Sequence, residues 1–258
     1  MNIVENRYGK AKVRVARIVR QENHHDFHEM TVAIALEGDF DSSYREGDNS
    51  LVLPTDTMKN TVYALAKDPA VEQPESFGLL LARHFLGNLR RVQRAYVDIF
   101  GHLWHREGPY SFTAGPPHRR IAKIVATREK VTVESGVAGY LMMKTTGSAF
   151  EGFLRDEHTT LPEASDRILA TSLDATWLHA GDADWDNVMK LITETFAGHA
   201  SKSVQHTLYV IGEAVLERFE IERIHLTMPN KHYLPTRHAD VFVPTDEPHG
   251  LIEAVLSR

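Results

Sequence analysis

Asn230 and His232 stand two apart in Met228-Pro-Asn-Lys-His232, directly after an apolar stretch that reads as a strand. On an extended backbone, side chains at that spacing project to the same side. A carboxamide and an imidazole converging beyond a strand end can bind a small polar molecule and shuttle protons. The same five residues also read as a turn in which Pro229 and Asn230 serve only the backbone. Arg167 closes a polar, charged stretch that begins at Phe150 and is long for an unstructured connection, a length often associated with function. Its planar donor fork suits a flat anionic heterocycle. Equally, the sequence allows a surface ion pair with Glu163 or Asp166. Lys10 follows Gly9 at the head of the first strand. To act as a base it must lose its proton, which burial or a neighbouring cation promotes; a solvated lysine at a strand end is the plainer reading. His24, His25 and His28, and then His102 and His105, invite a metal, but their spacing fits no closed site and His-Glu-x-x-His is absent.

The composition narrows the chemistry further. There are no cysteines, so thiolate zinc sites, iron–sulfur clusters, disulfides and cysteine nucleophiles are all excluded. No glycine-rich phosphate loop, Gly-x-Ser-x-Gly elbow or dinucleotide fingerprint occurs. The formal charge of -6 gives no footprint for nucleic acid, and an anionic substrate must be recognised by local charge. No stretch approaches the roughly 18 apolar residues of a membrane span. The first ten residues lack the pattern of a secretory signal, and the chain ends Leu256-Ser257-Arg258 rather than in the peroxisomal Ser-Lys-Leu. A cytoplasmic protein with neither nucleic-acid nor membrane partners is expected.

The elements that must position these residues recur. Lys12–Val15 and Val32–Leu36 alternate as half-buried strands do. A helix capped by Thr55 or Thr57 follows, with Met58, Val62 and Leu65 on one face. Another runs from about Pro74 to a stop at Gly87, before a strand through Ala95, Val97 and Ile99. The second half repeats the order. Ile121–Thr127 and Val131–Met143 form a hairpin, and Ile168–Leu178 a strand. Asp184 caps a helix ending at Gly198, and Ser201 or Ser203 opens the next. A strand with Ile224, Leu226 and Met228 on one face precedes the tail. Thr55-Asp-Thr-Met-Lys-Asn-Thr-Val-Tyr63 lies over Ser201-Lys-Ser-Val-Gln-His-Thr-Leu-Tyr209 without a gap, which points to an internal duplication. The reading is an α+β protein with domains at 1–118 and 119–258.

A series of short segments resembles the urate oxidase family. They are Tyr8-Gly-Lys10 with Val13-Arg14, Gly47-Asp-Asn49, Thr55-Asp-Thr-Met-Lys-Asn-Thr61 and Lys144-Thr-Thr-Gly-Ser-Ala-Phe150. Gly152-Phe-Leu-Arg-Asp-Glu157, Thr159-Thr-Leu161, Asp166-Arg-Ile-Leu169, Ser203-Val-Gln205 and Pro229-Asn-Lys-His232 continue the match in family order over nearly the whole chain. The resemblance implies two tandem tunnelling-fold (T-fold) domains, each an antiparallel sheet with its helices on one face, closing into a barrel on oligomerisation. It further implies a homotetramer with active sites at subunit interfaces.

What the resemblance implies about the site is specific. Arg167 and Gln205 grip one edge of urate, with the main chain at Val204 assisting, and Phe150 stacks on the purine face. Asn230 holds oxygen or water on the opposite side of the ring, helped by Thr55 of a partner subunit. Lys10, Thr55 and His232 form a proton relay, and Asp56 anchors a main-chain contact. Urate is already an anion near neutral pH; losing a further proton makes it able to reduce dioxygen directly, so no cofactor, metal or flavin is required. The products are 5-hydroxyisourate and hydrogen peroxide. Pro54 stands where the family usually has alanine and His158 where it usually has tyrosine. Two rival readings use the same residues: a zinc-dependent pterin-type T-fold enzyme built on His24, His25 and His28, and a non-catalytic oligomeric purine-binding protein.

Overall fold

The computed structural model describes residues 2–181 and 183–258, and of Asp246 the backbone alone. Contacts divide the chain into two units, 1–135 and 136–258. In the first, β1 (Tyr8–Arg20) and β2 (His25–Gly38) form a long hairpin, and β2 pairs in turn with β3 (Val92–His102). Between β2 and β3 lie a short α1 (Asp41–Arg45), α2 (Thr55–Leu65) and α3 (Pro74–Asn88). A small separate hairpin, β4 (Trp104–Arg106) with β5 (Phe112–Ala114), precedes β6 (Arg119–Ala126), which pairs with β3. All these named pairings are antiparallel.

Alternation explains the layering. Met30, Val32, Ile34 and Leu36 of β2 and Ala95, Val97 and Ile99 of β3 are buried, and they meet Met58 and Val62 of α2 and Phe77, Leu81 and Phe85 of α3. Each such side chain contributes about 1.5–3 kcal/mol when fully buried. The helices therefore cover one face of the sheet.

β7 (Val131–Lys144) begins in the first unit and continues into the second, where β8 (Leu169–His179), α4 (Trp185–Gly198), α5 (Val204–Arg218) and β9 (Ile221–Thr227) repeat the order. Leu173, Ala175 and Trp177 of β8 and Ile224 and Leu226 of β9 are buried, as are Val188 and Ile192 of α4 and Leu208, Ile211 and Val215 of α5. Asp184 caps α4 by accepting from the Asn187 N–H, and Ser203 caps α5 by accepting from the His206 N–H, as the sequence predicts.

The structure adds elements and shifts a boundary. The expected division at 118/119 separates β6 from the first sheet, yet β6 is laddered to β3 from Ala95↔Ala126 to Gly101↔Arg120. α2 is capped by neither Thr55 nor Thr57: Pro54 occupies the N-cap position and Thr55 is already the first helical residue. The tail, read as irregular, folds as β10 (Asn230–Pro235), β11 (Phe242–Gly250) and β12 (Glu253–Ser257); β10 pairs with β8 and β11, and β12 with β9. Among the described residues no helix is long and apolar enough to cross a membrane.

Candidate active site

In the second unit, the stretch from Phe150 to Arg167 is a loop drawn closed at its neck. The Phe150 N–H donates to the Ala164 carbonyl at 2.7 Å, the Ala164 N–H returns the bond at 3.1 Å, and the Arg167 N–H donates to the Ser148 carbonyl at 2.7 Å. Phe150 and Arg167 are thereby brought together, the guanidinium carbon standing 5.0 Å from the ring centroid. Beside them β10 presents Asn230 and His232, and all four residues line one cavity of about 490 Å³, completed by Tyr233 and Phe242. Lys231, between Asn230 and His232 on β10, lines the cavity as well.

Arg167 is the most informative of the four. Its side chain is half-buried, its Nε is buried without a hydrogen-bond partner, and burial lowers its affinity for its proton. Neither carboxylate offered by the sequence is available to it. Asp166 accepts from the Thr146 hydroxyl at 2.6 Å and the Gly147 N–H at 2.8 Å, bonds that hold its carboxyl below the usual range. Glu163 lies instead 3.9 Å from Arg155. Among the described residues no carboxylate pairs with Arg167; a cation removed from water without a counter-charge is costly, and an anion entering the cavity offsets that cost.

Val204 and Gln205 open α5, Val204 buried and Gln205 exposed. Neither lines the cavity. They are tied to it through Ser201, whose N–H donates to the Gly147 carbonyl at 2.9 Å and whose carbonyl accepts from the Ala149 N–H at 2.8 Å. Helix N-termini carry unsatisfied N–H groups that favour anions. A larger, more open groove of about 560 Å³ between α5 and β12 contains none of the predicted residues, and its Tyr209 and Arg258 are already bonded to Glu213 and to main-chain carbonyls.

Lys10, Thr55 and Asp56 lie in the first unit. The Leu53 N–H donates to the Tyr8 hydroxyl at 2.8 Å, tying the segment before α2 to β1, while the Tyr8 ring packs edge-on against Phe40. Thr55 is half-buried at the start of α2. The Asp56 carboxylate accepts from Lys59 and from Asn60, and its pKa is lowered first by Lys59, with a smaller contribution from the charge of Lys10. Lys10 faces Ile34 on β2, on the side the helices cover. Pro54 enters α2 without displacing Thr55 or Asp56 from its first turn.

A metal reading finds no support in the histidines. Among the described residues no group of three His, Asp or Glu side chains is placed to share an ion. His24 lies 3.6 Å from Asp26, and burial holds His28 towards its neutral form.

Two stretches, residues 6–126 and 133–253, each match the family model for uricase. This chain belongs to the uricase family. It is 36% identical to uricase of Aspergillus flavus, with 98% of this chain and 95% of that protein aligned, and 38% identical to uricase of Arabidopsis thaliana over 99% and 96%. The crystal structure of uricase from Arthrobacter globiformis superposes with a TM-score of 0.95, covering 100% of this chain and 95% of that one at 35% identity. Two tandem T-fold repeats of the uricase type account for the duplication in the sequence.

Within the uricase fold, some lining residues escape a reading of the sequence. Phe153 stacks on Phe150 at 4.9 Å and 12°, and Arg155 lies 4.8 Å over Phe153, so a layered support stands behind the predicted stacking ring. Gly152, at φ +70°, permits the bend between the two rings. The spacing of Phe150 and Phe153 about a glycine was the available signal. Tyr233 and Phe242 carried none, because proline interrupts the local pattern of the hairpin that presents them and its place beside the site comes from the pairing of β10 with β8.

Proposed function

We propose that the protein is a urate oxidase that converts urate, dioxygen and water into 5-hydroxyisourate and hydrogen peroxide. The observation that carries this reading is the half-buried, unpaired guanidinium of Arg167 above Phe150, in a cavity shared with Asn230 and His232. Arg167 and Gln205 clamp the edge of the flat anion, with the main chain at Val204, while Phe150 supports its face. Asn230 holds oxygen or water on the opposite side. Lys10, Thr55 and His232 relay the proton removed from urate, and the main chain at Asp56 holds the substrate. Deprotonation makes the purine electron-rich enough to pass electrons to dioxygen without a cofactor, so the protein supplies a base, orientation and exclusion of water.

The protein acts as a homotetramer. Lys10, Thr55 and Asp56 of one subunit and Phe150, Arg167, Gln205, Asn230 and His232 of a neighbour make one site. The test is direct: metal-stripped protein is mixed with urate in air, and urate absorbance and peroxide are followed with and without chelator. Stoichiometric loss of urate with release of peroxide, indifferent to chelator, is expected. Failure to consume urate, or a demand for added metal, overturns the reading.

A further inference from the structure

Facing residues of an antiparallel ladder project to the same side of the sheet. On β2, Met30, Val32, Ile34 and Leu36 are all buried, an unbroken alternation beneath the helices. Their partners on β1 are Val15, Val13, Lys10 and Tyr8, odd positions after one point and even positions before it. The change occurs between Lys10 and Val13, where Ala11 and Lys12 together oppose Ala33 alone. Lys12 accommodates the extra residue at φ +58°, in the left-handed region that a side chain with a Cβ avoids. If the register from Val13 onward simply continued, Lys10 would face Ala35 on the opposite side, and Ala11 would take its place beside Ile34.

The second repeat carries a left-handed residue at the same place. Counted from the first matched residue of each repeat, Gly9, Lys10 and Lys12 correspond to Gly136, Val137 and Gly139. Gly9 and Gly136 each approach a carbonyl of the facing strand, Ile34 and Ala175, too closely for any Cβ. Val137 is fully buried, and Gly139 has φ +75°. There the bend carries what a packed strand asks for, an apolar residue and then a glycine. In the first repeat a lysine occupies both places.

We propose that Lys12 is a positioning residue: by holding a glycine-like conformation it keeps Lys10 on the helix-covered face, beside the α2 terminus that carries Thr55 and Asp56. This rests on the reading of Lys10 as the base. Bulges beside active sites commonly re-aim a side chain in this way.

The experiment compares Lys12→Gly, Lys12→Asn, Lys12→Ala and Lys12→Val, with Lys10→Met as reference, by steady-state urate turnover. Gly and Asn tolerate the left-handed region, and Ala carries the same unbranched Cβ as the native Lys, so all three are expected to keep kcat within about twofold, whereas β-branched Val loses about tenfold or more. KM stays within about threefold throughout, because Arg167 and Gln205 are untouched. Lys12→Val as active as Lys12→Gly, or Lys12→Gly as impaired as Lys12→Val, overturns the proposal. Should Lys12→Val not fold, the smaller β-branched Lys12→Thr decides: a kcat equal to that of Lys12→Gly overturns the proposal, and a lower one at unchanged KM supports it. Full activity in Lys10→Met refutes the base itself, whereas an inactive Lys10→Met beside an active Lys12→Val refutes only the positioning.

Discussion

Arg167 sets a binding requirement against stability within one side chain. Its guanidinium is half-buried, its Nε has no partner, and the carboxylates nearest in sequence are committed elsewhere. Replacing a buried charge with an apolar group of similar size is often neutral or stabilising. Arg167→Met is therefore expected to raise the stability of the unliganded protein by about 1 kcal/mol, a modest figure because solvent still screens the exposed half. Hydrogen bonds to charged groups contribute about 1.5–3 kcal/mol, so KM for urate should rise by roughly ten- to a hundredfold. Thermal melting without substrate and steady-state kinetics measure the two effects. A variant that melts lower and binds urate normally would show that Arg167 serves the fold rather than the anion.

At the scale of the element, the helix starts separate a structural from a functional contribution. Asp184 caps α4 and Ser203 caps α5, each through one hydrogen bond to a main-chain N–H. Loss of either costs about 1 kcal/mol. Only α5 opens on Val204 and Gln205, so Ser203→Ala should raise KM severalfold while Asp184→Ala leaves it unchanged at equal cost in melting temperature. Equal KM values in the two variants would remove α5 from substrate binding. These caps were legible in the sequence because the chemistry of a cap is local: one polar side chain and the helix it opens. The strands of the tail were not, because Pro235, Pro244 and Pro248 weaken their local pattern, β10 and β12 take their order from β8 and β9, and β11 follows β10. The bend at Lys12 was equally hidden. Nothing in Lys10-Ala-Lys12 marks a left-handed residue, and the change of side emerges only against the unbroken alternation of β2. The site divides in the same way: the spacing of Asn230 and His232 could be read directly, whereas the isolation of Arg167 depends on where Asp166 and Glu163 find other partners.

At the scale of the whole molecule, the second unit presents strands whose apolar side chains remain open to solvent. Leu141 of β7, Leu234 of β10, Val243 of β11 and Val255 of β12 are each at least half exposed. Among the described residues β1 pairs only with β2, β11 only with β10 and β12 only with β9, leaving three strand edges to be satisfied. Association of several copies would cover such edges and apolar surface together. If each active site joins the first unit of one subunit to the second unit of a neighbour, two inactive variants can repair one another. Lys10→Met damages one half-site and Arg167→Ala the other. After unfolding and co-refolding in equal amounts, each half-site is intact in half of the chains, so about a quarter of the sites are whole if assembly is random. Measured at urate well below the wild-type KM, turnover should then recover to about a quarter of the wild-type value, although Lys10→Met refolded alone stays inactive and Arg167→Ala alone keeps about a tenth or less. A site built within a single chain gives no whole site in any mixture, because every chain carries one of the two lesions. An absence of recovery in mixed oligomers, verified to contain both variants, would therefore rule out the shared site while leaving the assignments of Lys10 and Arg167 in place.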